Sequence, residues 1–170
     1  MRKSYGMMAL LVLALLLGLL LAAAPAALAT ATFTEITATA TWTASPNPPD
    51  VYRVTGGVAH MEFGNTFAVT SSSALGNWFT TTHVYAVAKL VDGLPGDAVI
   101  WGTFESVGDA GDMEGTFTGT MSMATGTWNI KGRGKVVSGD MSGALIHFTE
   151  VNPGTLTWPV TITMLDPHGS

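Results

Sequence analysis

Apolar residues alternate with threonine along much of this chain, and that alternation constrains the fold more than any other feature of the sequence. In the first clear example the intervening positions are threonines and the apolar positions are Ile36, Ala38, Ala40 and Trp42. Side chains two residues apart share a face in an extended strand, whereas a helix brings together residues three or four apart. The segment therefore predicts a strand with one buried face and one exposed face.

The same period continues towards the C-terminus and predicts an all-β fold. It indicates eight or nine strands, over residues 36–43, 51–58, 59–69, 79–90, 98–107, 113–123, 125–137, 141–151 and 155–165. Several of these are separated by tracts typical of turns, namely Asp92-Gly93, Pro95-Gly96, Gly108 to Gly111 and Asn152-Pro153-Gly154.

The regular spacing of these turns, with no helix between the strands, indicates a single antiparallel barrel of about eight strands, with a β-sandwich as the alternative. Pro46, Pro48 and Pro49 cannot take part fully in a strand ladder, so residues 45–50 are predicted to form an exposed connection. No linker or change of composition divides residues 30–170, which we predict to be one domain.

The first 29 residues have the pattern of a secretory signal peptide. Arg2 and Lys3 precede an apolar run from Met7 to Ala24, and Pro25 is followed by Ala27-Leu28-Ala29. We therefore expect cleavage near Ala29 and a protein that is secreted, periplasmic or at the cell surface. The alternative is an uncleaved membrane anchor, since about 20 apolar residues can span a bilayer. The chain has no cysteine, so the fold has no disulfide.

The charge of the chain limits its partners. The net charge is -5 at pH 7 and becomes -7 once Arg2 and Lys3 leave with the signal peptide. Nucleic-acid-binding domains normally carry a basic surface. We therefore expect no nucleic acid as a partner, and membrane contact only through an uncleaved signal segment. No motif predicts a cofactor.

The predicted strands sort their side chains into an apolar inner face and a polar outer face. Nearly every ionisable side chain falls on the outer face, as the stripe of Lys131, Arg133 and Lys135 illustrates. The interior is therefore predicted to lack a proton carrier for acid–base catalysis. That interior either encloses an apolar ligand or is packed solid, and its glycines either leave room for a ligand or let a strand bend. The candidate cavity residues are Phe117, Met121, Trp128, Ile130 and Phe148.

Residues 115–148 contain a glycine-rich hairpin. A W-x-I-x-G-x-G strand from Trp128 to Gly134 is followed by G-x-x-x-G from Gly139 to Gly143, and Gly115-Thr116-Phe117-Thr118-Gly119 precedes both. The hairpin resembles that of small barrels related to the allene oxide cyclase and dirigent group, including uncharacterised exported bacterial relatives. The resemblance implies an eight-stranded antiparallel barrel with a modest apolar cavity. It assigns no catalytic or binding residue to this chain.

Other motifs give little support for a metal or a catalytic site. Asp109, Asp112 and Glu114 cluster in a glycine-rich turn and are candidate ligands for Ca²⁺, but their spacing is not that of an EF-hand loop. The histidines lack the spacings of a zinc site. Without cysteine or a G-x-S-x-G sequence, the chain offers no evident nucleophile, and we predict no catalytic residue.

Three functions remain open at this point. The first is an exported barrel that binds a small apolar ligand or has a surface or structural role. The second is an enzyme of the cyclase or isomerase kind, which confines an apolar substrate in the cavity. The third is a self-associating cell-surface or filament subunit, in which the basic stripe at Lys131, Arg133 and Lys135 meets the acidic segment from Asp92 to Glu114 of another copy.

The interior distinguishes these functions. A cavity of several hundred Å³ that holds an Arg, Glu or Tyr favours the enzyme, whereas a filled core excludes both the enzyme and the ligand carrier.

Overall fold

The chain folds into long strands joined by short turns. The computed structural model describes residues 31–43, 51–73 and 75–166, which form one antiparallel sheet of nine strands. The strands are β1 (Thr32–Trp42), β2 (Val51–Thr55), β3 (Val58–Thr70), β4 (Trp78–Val91), β5 (Leu94–Gly108), β6 (Met113–Ser122), β7 (Trp128–Val136), β8 (Leu145–Asn152) and β9 (Thr157–Asp166).

Two predicted segments, the signal peptide of residues 1–29 and the proline-rich connection of residues 45–50, lie outside the described residues. In the part of the chain that is described, no helix is long and apolar enough to cross a membrane.

The sheet closes into a ring. Its strand order is β1-β9-β8-β7-β6-β5-β4-β3, and β1 pairs with β3 to complete the circle. The closing contact is short, with Thr39–Trp42 against Phe67–Thr70, whereas β1 and β9 pair at ten positions. β2 extends the sheet beside the first half of β3. The predicted all-β barrel is confirmed, as an uneven ring of eight strands with a ninth strand added.

Alternate side chains of each strand point into the ring and form the core. Ile36, Ala38 and Ala40 of β1 are each at most 4% exposed, as the threonine alternation predicts. The same period buries one face of β9, which consists of Trp158, Val160, Ile162 and Met164. Backbone N–H and C=O groups of neighbouring strands pair with each other. Successive side chains point to opposite faces of the sheet, so every second side chain of a strand is buried in the ring.

One strand boundary differs from the prediction because of a glycine pair. Gly56 and Gly57 have positive φ angles of 59° and 76°, and they form the turn between β2 and β3. A two-residue hairpin with positive φ at both central positions has the twist that antiparallel strands need. The predicted break after Val58 is therefore wrong by two residues.

Two further boundaries also differ. Pro95 and Gly96, predicted as a turn, lie within β5, next to a register shift between Ala88 and Leu90. Such an irregularity accommodates a proline that cannot donate a ladder hydrogen bond. Residues 138–143 belong to a turn region, so β8 begins at Leu145, later than the predicted start of that strand.

Inward glycines in the middle of the sheet are covered by phenylalanine rings. A methyl group at Gly132 would overlap the ring of Phe148, and one at Gly102 would overlap the backbone oxygen of His83 and lie 2.7 Å from the ring of Phe117. The rings of Phe104 and Phe148 then meet edge to face with centroids 5.4 Å apart. These glycines provide space for aromatic rings from neighbouring strands, a packing that also protects the glycine backbone.

We expect Gly132→Ala to lower the free energy of unfolding by about 1–3 kcal/mol, because the added methyl group must displace the Phe148 ring in a packed interior. Urea unfolding followed by tryptophan fluorescence measures the change. Lys131→Ala, at the adjacent exposed position of the same strand, is the control and should stay within about 0.5 kcal/mol of the wild type. Equal stability of Gly132→Ala and the wild type would contradict this packing.

Candidate functional site

The ring encloses a cavity of about 400 Å³. An eight-stranded barrel is just wide enough to be filled by side chains or to hold one small ligand. Most of the wall is apolar, and at one end the lining includes the exposed residues Gly154, Thr155 and Leu156 of the turn between β8 and β9. The interior is therefore not packed solid, and its lining reaches the protein surface.

All five residues proposed from the sequence as cavity candidates line this space. They come from three neighbouring strands and comprise Phe117, Met121, Trp128, Ile130 and Phe148. The pleat directs them inward: Phe117 and Met121 of β6 are four positions apart and Trp128 and Ile130 of β7 are two apart, so each pair shares a face. Phe148 shares the inner face of β8 with the buried Ile146. They form one continuous section of the wall.

An ionisable side chain also lines the cavity, contrary to the prediction of an interior without titratable groups. Glu150 follows Ile146 and Phe148 at two-residue steps along β8, so the pleat turns it inward, and it is 8% exposed. The signal was present in the sequence, because the period that assigns Phe148 to the interior assigns Glu150 there too. The prediction is wrong because it extended the apolar interior of β6 and β7 to β8 without following that period.

Two indole groups hold the carboxyl of Glu150. Trp128 Nε1 donates to Oε1 at 3.1 Å, and Trp158 Nε1 donates to Oε2 at 3.2 Å. Trp128 begins β7 and Trp158 lies in β9, the two strands that flank β8. The sheet therefore fixes both donors beside the carboxyl, and one donor on each oxygen sets the orientation of the group.

Aromatic rings surround the same end of the cavity. The ring of Trp158 lies 5.0 Å from Trp128, 5.4 Å from Trp42 and 5.6 Å from Phe67, measured between centroids. Trp42 and Trp128 also meet edge to face at 5.6 Å. Pairs of this kind contribute about 0.5–1.5 kcal/mol beyond the burial of their area. The cluster replaces water around Glu150 with large apolar surfaces.

Burial raises the pKa of the Glu150 carboxyl above its ordinary value of 4.5, because the loss of water disfavours the charged form. The hydrogen bonds from Trp158 and Trp128 act in the opposite direction. Among the described residues that line the cavity there is no Lys, Arg or His to compensate a negative charge. Glu150 therefore keeps its proton to higher pH than an exposed carboxyl and can donate it to a bound molecule.

Polar side chains form a second feature of the lumen, on the wall made by β3, β4 and β5. This polar wall consists of Asn65, Thr80, Thr82 and Ser106. Thr80 Oγ1 and Ser106 Oγ lie 2.9 Å apart, and Thr82 Oγ1 donates to the backbone oxygen of Asn65 at 3.3 Å. In the ring of eight strands β4 is opposite β8. Thr80 and Thr82 of the polar wall therefore lie on the side of the barrel opposite Glu150.

The three acids proposed as Ca²⁺ ligands, Asp109, Asp112 and Glu114, are not brought together. Asp109 Oδ2 accepts a hydrogen bond from the backbone nitrogen of Asn77 at 2.8 Å. Glu114 Oε1 lies 3.1 Å from Lys135 Nζ on the outer face. Within residues 31–43, 51–73 and 75–166, no three acids or histidines are placed to share a metal ion.

The predicted basic stripe lies on the outer face of β7, where Lys131, Arg133 and Lys135 are exposed. Register places Arg133 between Thr116 of β6 and His147 of β8. The stripe is therefore separated from the cavity by the sheet itself.

Comparison of the chain with protein-family models, with curated proteins and with solved structures finds no match.

We expect Glu150 to make the folded protein less stable as the pH rises. Between the unfolded-state pKa, near 4.5, and the raised folded-state pKa, the folded protein retains a proton that the unfolded chain releases. In that window this group lowers the free energy of unfolding by up to about 1.4 kcal/mol per pH unit. The loss of stability begins as the pH passes the pKa of Glu150 in the unfolded chain and ends above its pKa in the folded protein.

Urea unfolding of the wild type and Glu150→Gln, from about pH 5 to about pH 8, isolates this contribution because the other titrating groups are common to both proteins. The stability of the wild type relative to the variant should fall with pH. The glutamine leaves one indole N–H facing an amide N–H. This lowers the free energy of unfolding of the variant by an amount that does not vary with pH. A relative stability that rises with pH would show that the indole donors outweigh burial.

Proposed function

We propose that this protein is an exported β-barrel that binds a small, mainly apolar molecule in its lumen, with Glu150 as a polar contact. The observation that carries the proposal is a cavity of about 400 Å³ with a buried carboxyl in its wall. Small-molecule pockets typically measure about 300–1,000 Å³ and combine an apolar lining with a few fixed polar groups. The volume, the aromatic lining and the oriented carboxyl all fit that description.

The position of Glu150 favours binding over a purely structural interior. Removing a carboxyl from water costs free energy even when it is hydrogen-bonded, and an apolar side chain at this place in β8 would avoid that cost. A buried titratable group in a cavity is typical of functional sites, which retain groups that lower the free energy of unfolding because binding or catalysis needs them. Its two indole donors show that the surrounding strands hold it in one orientation.

Export and a family relationship are further parts of the proposal. The pattern of residues 1–29 supports export. The glycine-rich hairpin within residues 115–148 supports a relationship to the allene oxide cyclase and dirigent group of barrels. This resemblance implies a modest apolar cavity. Both are consistent with a protein that meets apolar molecules outside the cytoplasm.

We expect naphthalene, a rigid apolar probe, to bind the wild type, and Met121→Trp to weaken this binding at least tenfold by occupying the cavity. The matched control is Thr120→Trp, which places the same side chain at the adjacent exposed position. Isothermal titration calorimetry measures both. A wild type that binds no probe would favour the surface or structural role, or the self-associating subunit, instead.

A second function, an enzyme of the cyclase or isomerase kind, is favoured by the same cavity, because a lumen of several hundred Å³ that holds a Glu is what we expect of an enzyme. It comes second because no Lys, Arg or His among the described lining residues stands beside Glu150 as a second catalytic group. Glu150 is a buried acid with a raised pKa in the wall of a cavity, which is the arrangement that a proton donor requires. Such a reaction moves a proton and rearranges bonds within one substrate, so the product has the mass of the substrate. The same cavity would supply confinement and the same carboxyl would supply the proton.

Ligands recovered from the host distinguish the two functions. We expect native mass spectrometry of the wild type and Glu150→Gln, each purified from the protein's own host, to show a bound molecule of the same mass. If the extracted molecules also have the same chromatographic retention, the protein is a carrier. Equal masses with different retention would indicate that the wild type holds a product and the variant its isomeric substrate.

A further inference from the structure

An open depression of about 520 Å³ lies on the outer face of the sheet, across β6, β7, β8 and β9. Its polar lining consists of Lys131, Arg133 and His147 with five threonines around them. The three basic side chains are exposed, so a molecule in solution can reach them. They form the outer patch, which the sheet separates from the lumen.

The two cations of the outer patch are not used within the protein. Lys131 lies between two threonines, and Arg133 lies between a threonine and a histidine. Among the described residues neither forms an ion pair, whereas Lys135 on the same strand lies 3.1 Å from Glu114. The acid that continues the row of Arg133, Glu35 of β1, is three strands away, or about 14 Å. Unpaired cations on one face of a chain with a net charge of -5 are complementary to an anionic partner.

The hydroxyl groups of the depression indicate which kind of anion fits. Threonines outnumber the cations there, so the surface suits a molecule with more hydroxyl groups than charges. A uronic acid has this composition, because its ring keeps several hydroxyls beside one carboxylate, whereas sulfation replaces hydroxyl hydrogens with charged groups. Arg133 can bind such a carboxylate through two parallel N–H donors.

Two exposed aromatic rings lie in the same row of the sheet as Lys131. Tyr85 and Trp101 are 40% and 43% exposed, and their nearly parallel rings have centroids 6.0 Å apart. Register leads from Trp101 through Thr118 to Lys131, a distance of two strand spacings, about 10 Å, which is close to the length of a disaccharide. Exposed aromatic side chains are typical of binding surfaces, and the C–H groups of sugar rings pack against them. The row therefore offers apolar contact at one end and positive charge at the other.

We infer that the outer face of the sheet binds a polysaccharide of uronic acids, whose rings pack against Tyr85 and Trp101 and whose carboxylates pair with Lys131 and Arg133. This inference goes beyond the proposed function, because it concerns a second site on the other side of the sheet. With both sites, the protein binds a small molecule inside the barrel and attaches to an acidic polymer outside it. Binding at one site can fail while the other remains.

Three probes separate the contribution of sugar from that of charge: an oligogalacturonate, its fully methyl-esterified form, and a polyglutamate peptide of the same charge as the oligogalacturonate. The ester has the sugar backbone without charge, and the peptide has carboxylates without sugar rings. We expect the oligogalacturonate to bind at least about tenfold more tightly than either, and to bind more weakly as salt is added. NMR titration of the nitrogen-15-labelled protein gives each affinity and the residues whose amide signals move.

Substitution of each cation tests the charged end of the row. Lys131→Gln and Arg133→Gln should each weaken oligogalacturonate binding about fivefold, because each removes one exposed charge pair. The matched control is Lys89→Gln, which removes the same charge at an exposed position of β4 and should leave the affinity within about twofold of the wild type, because salt screens a distant charge.

Trp101→Ala tests the aromatic end. It should weaken oligogalacturonate binding about fivefold and leave polyglutamate binding unchanged, since only the sugar packs against the ring. Val107→Ala, at another exposed apolar position of β5, is the control and should bind both probes as the wild type does.

Absence of oligogalacturonate binding, or equal binding of its methyl ester, would overturn the inference and leave the proposed function in place. Equal affinity for polyglutamate would also overturn it, because the surface would then recognise charge without sugar. Unchanged affinity in both Lys131→Gln and Arg133→Gln would place the site elsewhere. If signals of the outer patch move only when the concentration of the protein itself is raised, the patch is a contact between copies and the inference is wrong.

Discussion

Four residue pairs between β1 and β3 close the sheet into a ring, and the rest of the structure depends on that contact. In an open sheet the apolar faces of all the strands would remain in water, whereas closure turns them into one interior and pairs the strand edges. Trp42 and Phe67 form the last of the four pairs, and their rings also pack against Trp158. The pairing that closes the barrel therefore also builds the aromatic end of the cavity.

Two kinds of aromatic packing meet in this interior. Phenylalanine rings lie over inward glycines of neighbouring strands and fill the space there, as Phe148 does over Gly132. At the end of the cavity that holds Glu150, Trp128 and Trp158 pack against each other and donate their N–H groups to the carboxyl. Burial raises the pKa of that carboxyl while the indole donors oppose the rise, so the site can bind a polar group or transfer a proton. Ligand carriage and isomerase-type catalysis would use the same geometry.

The strand faces could be predicted from the sequence because a side-chain period of two needs no knowledge of the partner strand. That period directs Phe117, Trp128 and the other candidate residues inward, and in the structure they line the cavity. The turn at Gly56 and Gly57 was missed although a glycine pair between two strand-forming runs is a hairpin signal in the sequence. The positive φ angles of both glycines show the turn in the structure. The polar wall was missed although the same period assigns it to the interior, since Thr80 and Thr82 precede the buried Val84 at two-residue steps in β4.

Local chemistry along the chain determined the strands, the burial of alternate residues and the absence of disulfides, because each depends only on residue type and spacing. Whether the interior would be filled or hollow was decided by the tertiary structure, since that depends on how rings from different strands divide the lumen. Tertiary structure also brought Trp128 and Trp158 to the two oxygens of Glu150. Strand order sets those distances, and residues far apart in sequence become neighbours only when the ring closes.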